Sequence, residues 1–278
     1  MEINWFPGHM AKSTREIESA LKIADCVVYV LDSRAVRSCF NPKFDEMIKV
    51  PIVYVINKAD AAPADIVTQW VKKLSTGGNT AIATNGTESI SRGKLASAIK
   101  AVCAPTLDRQ KKRGLNAHIR AAVVGVPNTG KSTLINSLCG KARLTTGNRA
   151  GVTRAATWAR VDETLDVLDT PGTLYPKITD RRVGENLAII GSIRDEVLDV
   201  TEIAAALISR LDEIDGTLLS ARYGEITGSY GRLEQIAIAR GYKIRGGEPD
   251  YERAAATVVD DFRKGRLGKI ALEKADEK

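Results

Sequence analysis

Gly125-Val126-Pro127-Asn128-Thr129-Gly130-Lys131-Ser132 follows the apolar run Ala121 to Val124 and leads into Leu134, Ile135 and Leu138 at helical spacing. A buried strand before the glycines and an amphipathic helix after them make this a full G-x-x-x-x-G-K-[ST] loop in its required context. Glycines there let backbone N–H groups turn inward around phosphate oxygens, and the helix N-terminus adds a favourable dipole. Lys131 has the reach for β- and γ-phosphates, and the Ser132 hydroxyl suits Mg2+. Asn128, Thr129, Gly130 and Thr133 complete the expected phosphate and nucleoside lining.

Downstream, Asp169-Thr170-Pro171-Gly172 ends the apolar run Leu165 to Leu168. Asp169 is placed to hold the magnesium shell through water, and the Gly172 N–H to meet a γ-phosphate. Gly151-Val152-Thr153 lies between the loop helix and this strand. Its position makes Thr153 the candidate that senses magnesium and γ-phosphate. Lys131 and Thr153 are the candidate catalytic groups of this half. Loss of the γ-phosphate would release the adjoining segments.

Upstream, Asn57-Lys58-Ala59-Asp60 closes the apolar run Ile52 to Ile56. A carboxylate at Asp60 can accept from guanine N1–H and its exocyclic amino group together; adenine offers no such donor pair and would leave the charge unpaired. Asn57 is expected to tie this segment to the rest of the site, and the Lys58 stem to cover the ring. Asn85 and Gly86, after the next strand pattern, are candidates to offer a backbone N–H to guanine O6. The base is therefore guanine and the ligands are GTP and GDP.

Between these motifs, Met10 to Ile23 reads as an amphipathic helix and Cys26 to Leu31 as a buried strand. Pro63 opens a helix through Leu74, Thr80 to Ala83 is a short strand, and Lys94 to Val102 is a helix. Thr157 to Val161 and Leu165 to Leu168 form a hairpin around Asp162 to Thr164. The pattern is α/β with a mostly parallel sheet. Beyond Val183, apolar residues recur only at helical spacing. Residues 1–182 are expected to form the nucleotide domain, with 105–118 as a polar, basic connector, and 183–278 a small all-helical domain.

Among 278 residues, 44% are hydrophobic and 27% charged, which suits a soluble globular protein. No apolar run approaches the ~20 residues that span a bilayer, and the start of the chain lacks a secretory pattern. Four cysteines without paired spacing, and only His9 and His118, argue against a zinc or disulfide framework and for a reducing, cytoplasmic setting. Net charge is +7, yet from Val197 onward there are 13 basic and 15 acidic side chains. The basic excess gathers instead at Arg109, Lys111, Lys112 and Arg113, and again from Lys141 to Arg160, which suits a polyanionic partner.

These parts resemble the TRAFAC class of GTPases, in which the guanine reader follows the phosphate loop; here it precedes it. A permuted chain rebuilds the same sheet because the ends of compact domains often lie close together, with the basic connector joining them. The reversed order, together with Trp5-Phe6-Pro7-Gly8-His9-Met10-Ala11-Lys12, Leu31-Asp32-Ser33-Arg34 and Asp169 to Lys177, is similar to the ribosome biogenesis GTPase A family. The resemblance implies GTP hydrolysis stimulated on the assembling large ribosomal subunit, contact with 23S rRNA, and release on hydrolysis. It also implies a K+ ion for which Asn128 is the matching side chain and nominates His9 as a catalytic group; the chain is expected to be a monomer.

Two departures stand out. Thr129 occupies a position more often valine in that family. Thr173 follows the D-x-x-G glycine, where Ras-like enzymes carry a water-orienting glutamine and the family a hydrophobic residue. Slow hydrolysis by the isolated chain is the expectation. An RNA-binding scaffold whose nucleotide site serves stability, and a GTPase of another ribosomal particle, are the rival readings.

Overall fold

The structure, a computed structural model, describes residues 8–86, 88–140, 156–174, 177–228 and 231–276, without the side chains of residues 8–12, 89–91 and 197. Its strands are β1 (Cys26–Asp32), β2 (Ile52–Asn57), β3 (Thr80–Ala83), β4 (Ile119–Val124), β5 (Thr157–Asp162) and β6 (Leu165–Asp169). They form one sheet in the order β3-β2-β1-β4-β6-β5. All neighbours run parallel except β5 and β6, the expected antiparallel hairpin. The chain thus completes one half of the sheet, β1 to β3, before starting the half that carries the phosphate loop. The halves join where β4 pairs with β1.

Helices cover both faces: α1 (Gly8–Ile23), α2 (Pro42–Met47), α3 (Ala64–Leu74), α4 (Ser89–Val102), α5 (Ala104–Lys112) and α6 (Lys131–Cys139). Side chains of a strand alternate between faces, and β1 divides accordingly. Cys26, Val28 and Val30 pack with Ile99 of α4 and Leu134 and Leu138 of α6. Val27, Tyr29 and Leu31 pack on the other face with Ile17 of α1 and Trp70 of α3. Most of the connector folds as α5, whose last turn carries the exposed Arg109, Lys111 and Lys112 where cations favour a helix C-terminus. Helix α2 carried no periodic signal. It is six residues long, and Asn41 caps it by accepting from the Lys43 N–H.

The tail consists of α7 (Arg181–Ile189), α8 (Val200–Ile214), α9 (Leu218–Tyr223), α10 (Arg232–Ala239) and α11 (Tyr251–Arg263). Asp180, Asp199 and Asp250 each cap a helix by accepting from backbone N–H groups of its first turn, which gives part of the acidic charge of this region a local role. Its apolar residues Leu187, Leu207, Val258 and Phe262 belong to the same buried cluster as Tyr29 and Leu31 of β1. After α11 a strap returns across the sheet end: Ile270 N–H donates to Ala61 O at 3.0 Å and Leu272 N–H to Arg34 O at 2.7 Å. Among the described residues no helix is long and apolar enough to cross a membrane.

Candidate nucleotide site

Strand β4 runs directly into the phosphate loop, and Gly130 caps α6. Gly130 has φ +91, and a Cβ there would lie 2.5 Å from Asn57 Nδ2, so only glycine fits both the turn and the neighbour. Lys131 is buried, with Nζ donating to the carbonyls of Gly125 (3.1 Å) and Val126 (2.9 Å). Burial pushes its ammonium down to about 8, with Asp169 opposing. A phosphate would offer that desolvated cation a stronger acceptor than two neutral carbonyls.

Ser132 Oγ donates to Asp169 Oδ2 at 2.7 Å, bringing the loop and the end of β6 together. A hydroxyl and a carboxylate side by side at a helix N-terminus are hard oxygen donors that fit Mg2+ beside phosphate. Thr170 Oγ1 donates to Val123 O at 2.6 Å and pins the turn that follows. Gly172 then approaches so closely that an added Cβ would meet Lys131 Nζ at 2.8 Å and Pro127 Cα at 2.8 Å. Thr173 is buried, and its hydroxyl has no hydrogen-bond partner among the described residues.

Asn57 joins three loops. Its Nδ2 donates to Thr129 O at 2.8 Å, while its Oδ1 accepts from Gly86 N–H at 2.9 Å and Thr84 Oγ1 at 3.1 Å. Gly86 therefore spends its N–H on Asn57. Lys58, at φ 55, lays its ammonium on Asn128 O and Asp32 Oδ2, both at 2.8 Å. Asp60 is exposed in the 3-10 turn Ala59–Ala61 and is not part of the cavity wall. Asn128, at φ 62, donates its amide to Gly191 O, which ties the phosphate loop to the chain after α7. Ser192 Oγ donates to Pro127 O at 2.7 Å, so the chain leaving α7 is stitched to the phosphate loop.

Asp32, Gly191, Ser192 and Arg263 had no assigned role in the sequence reading. Asp32 sits opposite Asn57 in the β1–β2 register, both at strand ends where parallel sheets carry ligand sites. That shared register was the available signal. Asp32 is fully buried and takes a two-pronged pair from Arg34, Nε to Oδ1 at 2.8 Å and the terminal nitrogen to Oδ2 at 2.7 Å. Burial alone would raise its carboxyl, but Arg34 and Lys58 hold it well below the usual carboxylate range. Arg34 is thus the internal partner of Asp32.

A cavity of about 560 Å³ opens beside these groups, with Asn57, Lys58, Asn85, Gly86, Asn128, Gly130 and Thr133 on its wall. Ile190, Gly191, Asp260, Arg263 and Lys264 of the tail line it as well, with Arg34. His9 falls in the first turn of α1, and its side chain lies outside the described residues, as does all of Thr153. His118 binds Asp166 at 3.0 Å where β4 and β6 begin, the strand ends away from the loop motifs, and all four cysteines are buried, none in a disulfide.

A family model described as 50S ribosome-binding GTPase matches residues 120–224. The Ribosome biogenesis GTPase A of Bacillus cereus is 37% identical over 282 aligned positions, covering 100% of this chain and 95% of that protein. The chain belongs to the ribosome biogenesis GTPase A family. YlqF of T. maritima has been solved bound to GNP, with TM-score 0.67, 27% identity, and coverage of 96% of this chain and 100% of that one. Its GDP-bound form gives TM-score 0.68 at 27% identity, covering 95% and 100%. Membership of the ribosome biogenesis GTPase A family thereby extends past Lys177 into the helical tail, where no sequence motif carried it.

Proposed function

We propose that this chain is a cytoplasmic, monomeric GTP hydrolase that binds the assembling large (50S) ribosomal subunit, promotes its late maturation, and leaves when GTP is hydrolysed. The observation that carries the GTPase reading is Asn57. This residue of the guanine-reading segment bonds the phosphate loop at Thr129 O across 72 positions, in the reversed chain order. The ribosomal half rests on relatives named for ribosome biogenesis and on a matching family described as 50S ribosome-binding. The exposed cations Arg109, Lys111, Lys112 and Arg113 give a surface suited to 23S rRNA.

The residues divide the work along the cavity. Asp60, beside the cavity and not in its wall, reads guanine N1–H and N2–H; Lys58 covers the ring; Asn57, Asn85, Gly86 and Thr133 hold the base loop and nucleoside. Asn128, Thr129 and Gly130 shape the cradle, and Lys131 neutralises β- and γ-phosphate charge as hydrolysis proceeds. Ser132 and Thr153 would hold Mg2+, with Asp169 reaching it through water, and the ion would offset charge developing on the phosphate oxygens. Asn128 would be the side chain that holds K+. Gly172 N–H meets the γ-phosphate, and His9 supplies the catalytic group that Thr173, buried and short, does not.

Two domains, 1–182 with the connector at 105–118 and 183–278, communicate through the segment after Gly172. That segment leads through α7 to Gly191 and Ser192, which return to Asn128 and Pro127. A change at the γ-phosphate therefore reaches the tail through bonds on both sides of the loop. Co-sedimentation with separated ribosomal subunits tests the proposal. Binding to large subunits with a non-hydrolysable GTP analogue, and weaker binding with GDP, is expected. Equal binding in both states would leave the scaffold reading, and preference for small subunits the third reading.

A further inference from the structure

Part of the wall of the cavity is tied into a ring by hydrogen bonds, and the tail contributes to it. Lys58 bonds Asn128 O and Asp32, and Asp32 holds Arg34. Arg34 donates to Arg263 O at 3.3 Å, and its guanidinium lies 5.2 Å from the centre of the Phe262 ring. Arg263 donates to the carbonyls of Ile189 (3.0 Å) and Ala188 (2.8 Å) at the end of α7, next to the Gly191 that receives Asn128. Cations suit a helix C-terminus, and Arg263 is further fixed by a two-pronged pair with Asp195, both distances 2.8 Å.

Behind this ring the strap braces the base-reading turn. Ile270 N–H bonds the carbonyl of Ala61, one residue past Asp60. Glu273, itself buried, accepts from Ser38 N–H at 3.1 Å and Asn186 Nδ2 at 3.0 Å and also bonds the Ser38 hydroxyl. Every polar group of Arg263 is thus engaged in structure. Lys264 differs. It lines the cavity, half its side chain is exposed, and among the described residues its ammonium pairs with Asp260 one turn earlier, at 2.8 Å. An exposed i,i+4 pair is weak and readily exchanged for a phosphate or ribose oxygen.

We propose that the end of α11 and the following strap are part of the guanine-nucleotide site, with Lys264 binding the ribose–phosphate portion of GDP and GTP in the cavity that Asn57, Lys58 and Gly86 also line. The inference rests on the cavity being the guanine-nucleotide site. It makes docking of the tail at this end respond to nucleotide occupancy, whereas the Gly172 route responds to the γ-phosphate. GDP and GTP therefore hold α11 equally.

The test is release of tritiated GDP and of radiolabelled GTPγS from the full-length protein, chased with unlabelled nucleotide and read by filter binding. Lys264→Ala is expected to speed release of both by the same factor, about threefold, with thermal stability unchanged and Lys264→Arg near wild type. Wild-type release rates in Lys264→Ala would overturn the proposal, as would an effect confined to GTPγS. As a second measurement, saturating GDP is expected to slow amide exchange at Ile270 and Leu272; no slowing would overturn the coupling to the strap. Failure of the wild-type protein to retain GDP would overturn the nucleotide reading itself, a result distinguishable from unaltered variants.

Discussion

Replacing Asn57 with alanine removes three hydrogen bonds at once: Nδ2 to Thr129 O, and Oδ1 from Gly86 N–H and Thr84 Oγ1. The side chain is buried, so its partners do not all regain water. At about 1 kcal/mol net for each bond, the loss is about 3 kcal/mol. These bonds order the phosphate loop and the base loops relative to each other, so nucleotide must restore that order on binding to the variant. At roughly 1.4 kcal/mol per decade, GDP affinity is expected to fall between about tenfold and a hundredfold. Asn57→Asp separates the bonds: it keeps the acceptor for Gly86 but sets a carboxylate oxygen against the Thr129 carbonyl, and should lose at least as much. Calorimetric titration with GDP, on variants shown folded by circular dichroism, reads the effect. A GDP dissociation constant within twofold of wild type in folded Asn57→Ala would refute the bridging role.

Asp60→Asn should transfer preference from guanine to xanthine nucleotides, because the amide donates where the carboxylate accepted; competition of XDP against GDP measures it, and unchanged preference for GDP would remove Asp60 from base reading. Arg34→Met should cost about 3 kcal/mol near pH 7, since it leaves buried Asp32 with Lys58 alone. The folded-state pKa of Asp32 is depressed, so its stabilisation is present above the unfolded value of about 3.9 and is lost as pH falls below it. Denaturant unfolding from pH 7 to 3 should therefore show the gap between variant and wild type narrowing only below about pH 4. Thr173→Val should stabilise the fold by about 1 kcal/mol, because it replaces a buried hydroxyl that has no partner among the described residues with a methyl group. Its GTP turnover should match wild type; a large drop would make the hydroxyl a participant in hydrolysis.

The strands were legible because each is a short run of β-branched and apolar residues ended by a turn. Thr80–Ala83 and the β5–β6 hairpin lie where alternation and turn residues put them. The phosphate loop was legible because its chemistry is local to eight consecutive residues. Asp32 and Arg34 were visible as residues but not as a pair, since their function depends on burial. The strap was not legible at all. Ser38 and Glu273 meet across 235 positions, and no periodicity records a contact of that range. Asn128 illustrates the boundary between the two: its place in the loop was read directly, whereas its bond to Gly191 depends on how the tail folds back.

The central claim is that this permuted site is a GTPase switched by the large ribosomal subunit. Its most direct test is GTP turnover by the purified protein alone, with large subunits, and with small subunits, in Mg2+ with K+ present. The account predicts slow turnover alone, marked stimulation by large subunits only, and loss of that stimulation in His9→Ala with GTP affinity retained. Turnover unaffected by large subunits would contradict it.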